Sequence, residues 1–260
     1  MANDRLRQFC TLLFAVGQAV ASGITPRLGL PPVGSVSDRY HTYVVPAGYA
    51  FSIWGLIFAL SLAYAVWQLL PAQRENPLLR RVGWLVVIAF AGSTFWQFAF
   101  TAGQYALSVA LIVTTLVALA IAVGRMVGWR TPLTGAERWL VWVTGGVYLG
   151  WITVATVANV AQALAAGGVP ELGLGAEAWG MVMLIAAGLI AAAVTLATRN
   201  GGYPLTVIWA LVAVWIARRD PPTVTQSDTV AYVALGAAAV VAVALGMVVM
   251  RGRRGAASMR

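Results

Sequence analysis

The sequence predicts an all-α integral membrane protein with about eight transmembrane helices, and three observations predict it. Of the 260 residues, 60% are hydrophobic and only 10% are charged, with a mean hydropathy of +0.82, whereas soluble domains contain about 25% charged residues. The apolar residues fall into long runs of roughly the 20 residues that a helix needs to cross a bilayer. These runs lack the two-residue alternation that marks the strands of a membrane barrel, so they predict helices.

Eight apolar runs qualify as spans, and the connections between them carry the residues expected of membrane loops. The runs lie at about 7–23, 47–70, 82–102, 105–127, 138–164, 177–198, 203–217 and 229–250. Pro71 follows the second run and Pro132 precedes the fifth, which places helix-breaking residues at the predicted ends. The RNGGYP stretch at 199–204 predicts a tight turn between two antiparallel helices.

The first run has two interpretations. Its basic start, its short apolar stretch and the Ala-Val-Ala sequence before Ser22 are also typical of a cleaved signal peptide. We prefer a retained helix, because it leaves an even number of spans and keeps the distribution of arginine residues consistent with one orientation. The chain is then expected to begin and end on the same side of the membrane.

The distribution of arginine predicts that side. All 17 basic residues are arginine, and the net charge is +9. Thirteen of them lie on the side of the termini, and the other four are Arg27, Arg39, Arg218 and Arg219. Because basic residues favour the cytoplasmic side, both termini are expected in the cytoplasm and the protein in a bacterial inner membrane. The arginines occupy loops and tails without a patch of interleaved aromatic residues, so no nucleic-acid partner is expected.

The residues that usually form metal centres or proton relays are scarce. Cys10 is the only cysteine and His41 the only histidine, which excludes an intrachain disulfide and a site built from several His and Cys ligands. All eight acidic residues fall at or beyond the ends of the apolar runs. No carboxylate is therefore expected inside the membrane, where proton pumps place one.

Polar and aromatic residues share one face in three of the spans. At about 100° per residue, the fifth span gathers them within roughly 80°, on Tyr148, Trp151, Ala155, Asn159 and Gln162. The second span does the same with Phe51, Trp54, Phe58, Ser61, Ala65 and Gln68, and the third with Ser93, Trp96, Gln97 and Phe100. An unpaired amide that faces lipid costs several kcal/mol, so these faces are expected to point inward. They can line an aromatic-walled ligand pocket or serve as polar contacts between packed helices.

The same stretches resemble a known family. VPAGYAFSIWGLIF (45–58), FWQFAF (95–100) and YLGWITVATVAN (148–159) are similar to the second, third and fifth helices of the TspO/MBR family, the tryptophan-rich sensory proteins related to the mitochondrial translocator protein. The fifth span matches best. Tyr49 stands where the family usually has tryptophan, and Ser93 stands where it has asparagine.

The resemblance implies a division of the chain and a site. Residues 1–165 would form a TspO-like five-helix ligand-binding bundle, and 166–260 a three-helix extension with a short basic tail. The family binds hydrophobic planar ligands, such as porphyrins and other tetrapyrroles or sterol-like lipids, in a pocket capped by the loop that here spans 24–46. Carried over residue by residue, the implied ligand-binding residues are Tyr49, Phe51, Trp54, Trp96, Trp151 and Asn159.

The leading functional hypothesis is therefore a membrane receptor or binding protein for such a ligand, with a transport or regulatory output. One alternative is a secondary transporter of a small neutral or apolar solute, although five plus three spans do not form the inverted halves common in such proteins. Another is a tetrapyrrole-degrading enzyme that uses tryptophan or tyrosine radicals. No cofactor is required, and haem or porphyrin enters as ligand, with His41 as a candidate ligand to haem iron. A homodimer is compatible with the sequence.

Overall fold

The computed structural model describes residues 2–40, 42–169, 173–219 and 225–257. Within these residues the chain forms eight long helices and a few short helical turns. The long helices are α1 (Ala2–Ile24), α2 (Gly48–Gln68), α3 (Pro77–Thr101), α4 (Tyr105–Val127), α5 (Gly135–Ala166), α6 (Ala176–Thr198), α7 (Gly202–Arg219) and α8 (Asp228–Ala257). The first turn of α2, Gly48–Ser52, is a 3-10 helix, and α5 contains a π-helical segment, Arg138–Val143.

Six of these helices are long and apolar enough to cross a membrane, namely α2 to α6 and α8 up to Gly252. The other two are less suited by composition or length. Helix α1 carries Arg7 and two glutamines, and α7 is the shortest, with 18 residues that end in two arginines. The prediction of an all-α membrane protein is confirmed, while the number of about eight spans stays a prediction.

Local sequence explains where several helices begin and end. Asn76 caps α3, because its side chain accepts hydrogen bonds from the backbone N–H groups of Leu78 and Leu79, and Pro77 follows in the first helical position. Thr134 and Glu137 form a reciprocal capping box at the start of α5. Helix α6 ends where Arg199 adopts a left-handed conformation, with φ of 56°.

The first five helices form a bundle, and α6 to α8 join it through α7. Helix α3 packs against α1 and α4, while α5 packs against α4 on one side and α7 on another. Glycines allow the close approach of α5 to α7. A Cβ atom on Gly150 would lie 2.6 Å from the carbonyl oxygen of Tyr203, and one on Gly202 would lie 2.9 Å from that of Val143. This small-residue contact is typical of helix packing in membranes.

The loop between α1 and α2 crosses the end of the bundle where α5 ends and α6 begins. It contains a short helix, Val33–Ser37. The Gln162 side chain on α5 donates a hydrogen bond of 2.6 Å to the carbonyl oxygen of Ser37. The backbone N–H of Ala47 donates one of 3.0 Å to the carbonyl oxygen of Ala213 on α7. The α1–α2 loop is therefore bonded both to the first five helices and to the C-terminal three.

Candidate ligand-binding site

Five of the six predicted site residues come together between α2, α3 and α5. The rings of Trp54 and Trp96 stack with centroids 5.7 Å apart. Trp151 meets Trp54 edge to face at 6.0 Å and Phe51 at 5.9 Å. Phe100 stacks on Trp96 at 5.0 Å and completes the group. We call Phe51, Trp54, Trp96, Phe100 and Trp151 the aromatic cluster.

Tyr49 lies apart from the aromatic cluster. Its side chain is 42% exposed, and its ring packs edge to face against Trp209 of α7, with centroids 5.2 Å apart. The indole N–H of Trp209 also donates to the carbonyl oxygen of Ala50, at 3.3 Å. Tyr49 lies two residues before Phe51, which puts the two side chains on nearly opposite faces of α2. Tyr49 therefore lies on the α7 side of the bundle.

Asn159 connects three helices through its buried amide. Its side-chain oxygen accepts a hydrogen bond of 2.9 Å from the indole N–H of Trp96, and its amide nitrogen donates one of 3.0 Å to the hydroxyl of Ser108 on α4. Sequence reasoning missed Ser108, because α4 carries no aromatic stripe. The available signal was a serine in the first turn of α4, close to the loop that joins α4 to α3.

The other polar residues of the fifth-span face also bind neighbouring elements. The hydroxyl of Tyr148 donates a hydrogen bond of 2.8 Å to the side-chain oxygen of Gln18 on α1. Gln97, from the polar face of the third span, donates a hydrogen bond of 2.8 Å to the backbone carbonyl oxygen of Gln18. Together with the contact between Gln162 and Ser37, these bonds are polar contacts between packed elements, which is one of the two roles that the sequence allowed for these faces.

Trp151 differs from these residues. Its side chain is only 2% exposed, yet its indole N–H has no hydrogen-bond partner among the described residues. A buried polar group without a partner costs free energy, on the order of 1–3 kcal/mol. The indole N–H of Trp151 is therefore an unused hydrogen-bond donor among the described residues.

The free space beside the aromatic cluster is small. Its volume is about 30 Å³, whereas sites for drug-sized molecules span roughly 300–1,000 Å³. Two small residues of α5, Ala155 and Ala158, form one wall, and the α1–α2 loop forms another through Ser37, Val45 and Pro46. With the loop in this position, the rings of the cluster fill most of the site themselves.

Comparison with known proteins identifies the family. The chain matches the family described as TSPO-like protein over residues 6–247. It belongs to the TSPO-like family. The predicted resemblance is thus confirmed, and the match also runs through α6, α7 and most of α8. No curated protein and no solved structure matches the chain.

This TSPO-like protein offers few groups to a metal ion. Among the described residues, no three His, Cys, Asp or Glu side chains lie close enough together to hold one. The suggestion that His41 binds haem iron lies outside the described residues. Within the aromatic cluster, the available chemistry is ring stacking and hydrogen bonding from neutral groups.

Proposed function

We propose that this TSPO-like protein binds a flat hydrophobic ligand, a porphyrin or other tetrapyrrole or a sterol-like lipid, in the aromatic cluster. The single observation that carries the proposal is the buried indole N–H of Trp151, which has no partner among the described residues and belongs to a wall of aromatic rings. A ligand with an apolar face and a polar edge would stack on these rings and accept that hydrogen bond. We further propose that the protein works in a bacterial inner membrane with both termini in the cytoplasm.

The ring geometry supports a flat ligand. Trp54 and Trp96 lie nearly parallel, at 28° to each other, and Trp151 stands almost perpendicular to Trp54, at 83°. Each such aromatic pair contributes about 0.5–1.5 kcal/mol beyond its buried area. A planar ligand that separates two rings replaces ring–ring contacts with ring–ligand contacts of the same kind, so the main cost of binding is the movement that makes room for it.

That movement is assigned to the α1–α2 loop. Near the aromatic cluster, its short helix Val33–Ser37 is bonded to α5 through Gln162 and the Ser37 carbonyl. One neutral hydrogen bond contributes only about 0.5–1.5 kcal/mol. The following part of the loop is more firmly attached to α7, because Ala47 donates to the Ala213 carbonyl and Arg218 donates to the carbonyls of Thr42 and Val45. We expect the Val33–Ser37 helix to move outward while the segment next to α2 stays in place.

A fluorescence titration tests the proposal. The purified protein in nanodiscs is titrated separately with protoporphyrin IX, haem and cholesterol, and quenching of tryptophan emission is followed. We expect saturable quenching with at least one of the three. Replacing Trp151 with leucine should weaken that binding by about tenfold, because burial of an aromatic face contributes about 1–3 kcal/mol.

The matched control is the same substitution at Trp139, which is 66% exposed and should leave the affinity unchanged. An absence of saturable quenching with all three compounds would refute the proposal. Equal affinities of wild type and Trp151→Leu would remove the site from the aromatic cluster.

A further inference from the structure

A second and larger cavity lies on the other side of the α1–α2 loop. Its volume is about 410 Å³, within the range of small-molecule sites. The loop, the end of α5 and the start of α6 enclose it. Consecutive loop residues separate it from the aromatic cluster, since Val44 lines the cavity and Val45 lines the cluster. The cavity is therefore a neighbour of the proposed site, with walls of its own.

The C-terminal helices build and hold this cavity. A Cβ atom on Gly180 of α6 would lie 2.6 Å from the Cβ of Tyr43, so glycine lets the loop rest directly on α6. Arg218 of α7 is 5% exposed and lies 5.9 Å from the Tyr43 ring. It donates hydrogen bonds of 3.4 Å to the carbonyl oxygens of Thr42 and Val45. The loop wall is thus held in place from α7, and the cavity is open in the same structure in which the aromatic cluster is closed.

The lining of the cavity is apolar at one end and cationic at the other. Ala161 on α5 and Met183 on α6 are the lining residues furthest from this end of the bundle, and together with Leu164 they form an apolar interior. The exposed Arg39 is the charged residue of the lining, and no acidic residue lines the cavity in the part of the chain that the structure describes. The hydroxyl of Thr42 is buried and has no hydrogen-bond partner among the described residues.

We propose that this cavity binds an amphipathic molecule with one anionic head group, a carboxylate or a phosphate, and a single apolar chain. The head group lies at the rim beside Arg39, because guanidinium groups bind carboxylate and phosphate oxygens. The chain extends towards Met183. The molecule comes from the surrounding bilayer as a fatty acid or a single-chain phospholipid. The site does not depend on the proposed porphyrin site, because the two have different walls.

Photochemical labelling tests this site. The protein in nanodiscs is irradiated with a diazirine-bearing palmitic acid, and labelled peptides are mapped by mass spectrometry. We expect labels concentrated in 161–169 and 176–183, and reduced to the level of lipid-facing peptides when Met183→Trp fills the cavity from α6. Ala165→Phe fills it from α5 and should have the same effect, so that a folding defect in one variant does not decide the result.

The head group is tested by comparing three probes. Arg39→Gln should weaken labelling by the palmitic acid probe about tenfold, which corresponds to loss of one charge-assisted hydrogen bond, and should leave labelling by the matching fatty alcohol unchanged. A lysophosphatidic acid probe that labels more strongly than palmitic acid would identify the phosphate source. Ala155→Val, in the wall beside the aromatic cluster, should not alter labelling. The proposal would be overturned if lipid-facing peptides were labelled as strongly as 161–169 and 176–183. Labelling of these two segments that persists in both filled variants would also overturn it.

Discussion

Replacing Asn159 with leucine removes the polar centre of the contact between α3, α4 and α5. In the native structure the Asn159 amide accepts a hydrogen bond from Trp96 and donates one to Ser108. Leucine has a similar size but can form neither bond. The Ser108 hydroxyl keeps another acceptor, the carbonyl oxygen of Tyr105 at 2.8 Å. The Trp96 indole N–H, on a side chain that is 4% exposed, has no other partner among the described residues.

The expected loss of unfolding free energy follows from the Trp96 indole N–H, the one group that Asn159→Leu leaves unpaired. A buried donor left without an acceptor costs about 1–3 kcal/mol, and polar contacts between membrane helices average about 0.6 kcal/mol. The leucine side chain recovers part of the lost stability through apolar contacts. We therefore expect Asn159→Leu to lower the free energy of unfolding by about 1–2 kcal/mol.

Unfolding by sodium dodecyl sulfate, followed by circular dichroism, measures this change. Thr156→Val is the matched control, because the Thr156 hydroxyl bonds only to the carbonyl of its own helix. In a Trp96→Phe background the donor is gone, so Asn159→Leu should cost much less than in wild type. Additivity of the two substitutions within about 0.5 kcal/mol would refute the reasoning, as would an unchanged stability of Asn159→Leu alone.

Three further predictions concern the loop, the first helix and the orientation. Gln162→Ala removes the bond to the Ser37 carbonyl, and protoporphyrin association in stopped-flow fluorescence should be roughly two- to tenfold faster; an unchanged rate would mean that this contact does not gate entry. A hydrogen bond from Arg80 holds the pKa of Asp4 below its usual value, so this contribution to stability is present above the unfolded pKa of about 3.9 and is lost as pH falls below it. Wild type should therefore lose more stability than Asp4→Asn between pH 7 and pH 3, and parallel losses would contradict the assignment. Reporter fusions after Arg130 should indicate the cytoplasm and those after Gly168 the outside, and the reverse pattern would exclude the proposed orientation.

The lengths of the apolar runs predicted the helices, because a span needs about 20 apolar residues to cross a bilayer. Each predicted span corresponds to a helix. The largest differences are at the end of α8, predicted at 250 and observed at Ala257, and at the starts of α1 and α3, which each lie five residues earlier than predicted. Helix α5, predicted to start at 138, starts at Gly135. The signal was present, since Thr134 and Glu137 have the spacing of a capping box. The family resemblance implied that the loop at 24–46 caps the ligand pocket, but its bonds to α5 and α7 depend on tertiary contacts that no local pattern encodes.

The candidate site was predicted in part. Helical periodicity places Phe51, Trp54, Trp96, Trp151 and Asn159 on inward faces, and the structure brings these five together. Tyr49 was implied by the family resemblance alone, and at about 100° per residue it lies on nearly the opposite face of α2 from Phe51, where it contacts Trp209. Periodicity also cannot say which residues become partners across helices.

From sequence alone, leucine at position 159 is expected to keep or raise stability, since it removes a polar group from the membrane. The contact with Trp96 reverses that expectation. The 410 Å³ cavity was not predicted either, because its walls come from three elements that are distant in the sequence.

The central claim, that a flat ligand occupies the aromatic cluster, is tested most directly by measuring protoporphyrin IX affinity and melting temperature on the same variants. Trp151→Leu removes the proposed stacking surface and donor, Ala155→Val narrows the wall beside it, and Trp139→Leu changes an exposed ring. We expect the first two variants to lose affinity by about tenfold or more, whatever their melting temperatures, and the third to keep it. An affinity that simply follows melting temperature across the three variants would contradict the account and leave the aromatic cluster as helix packing.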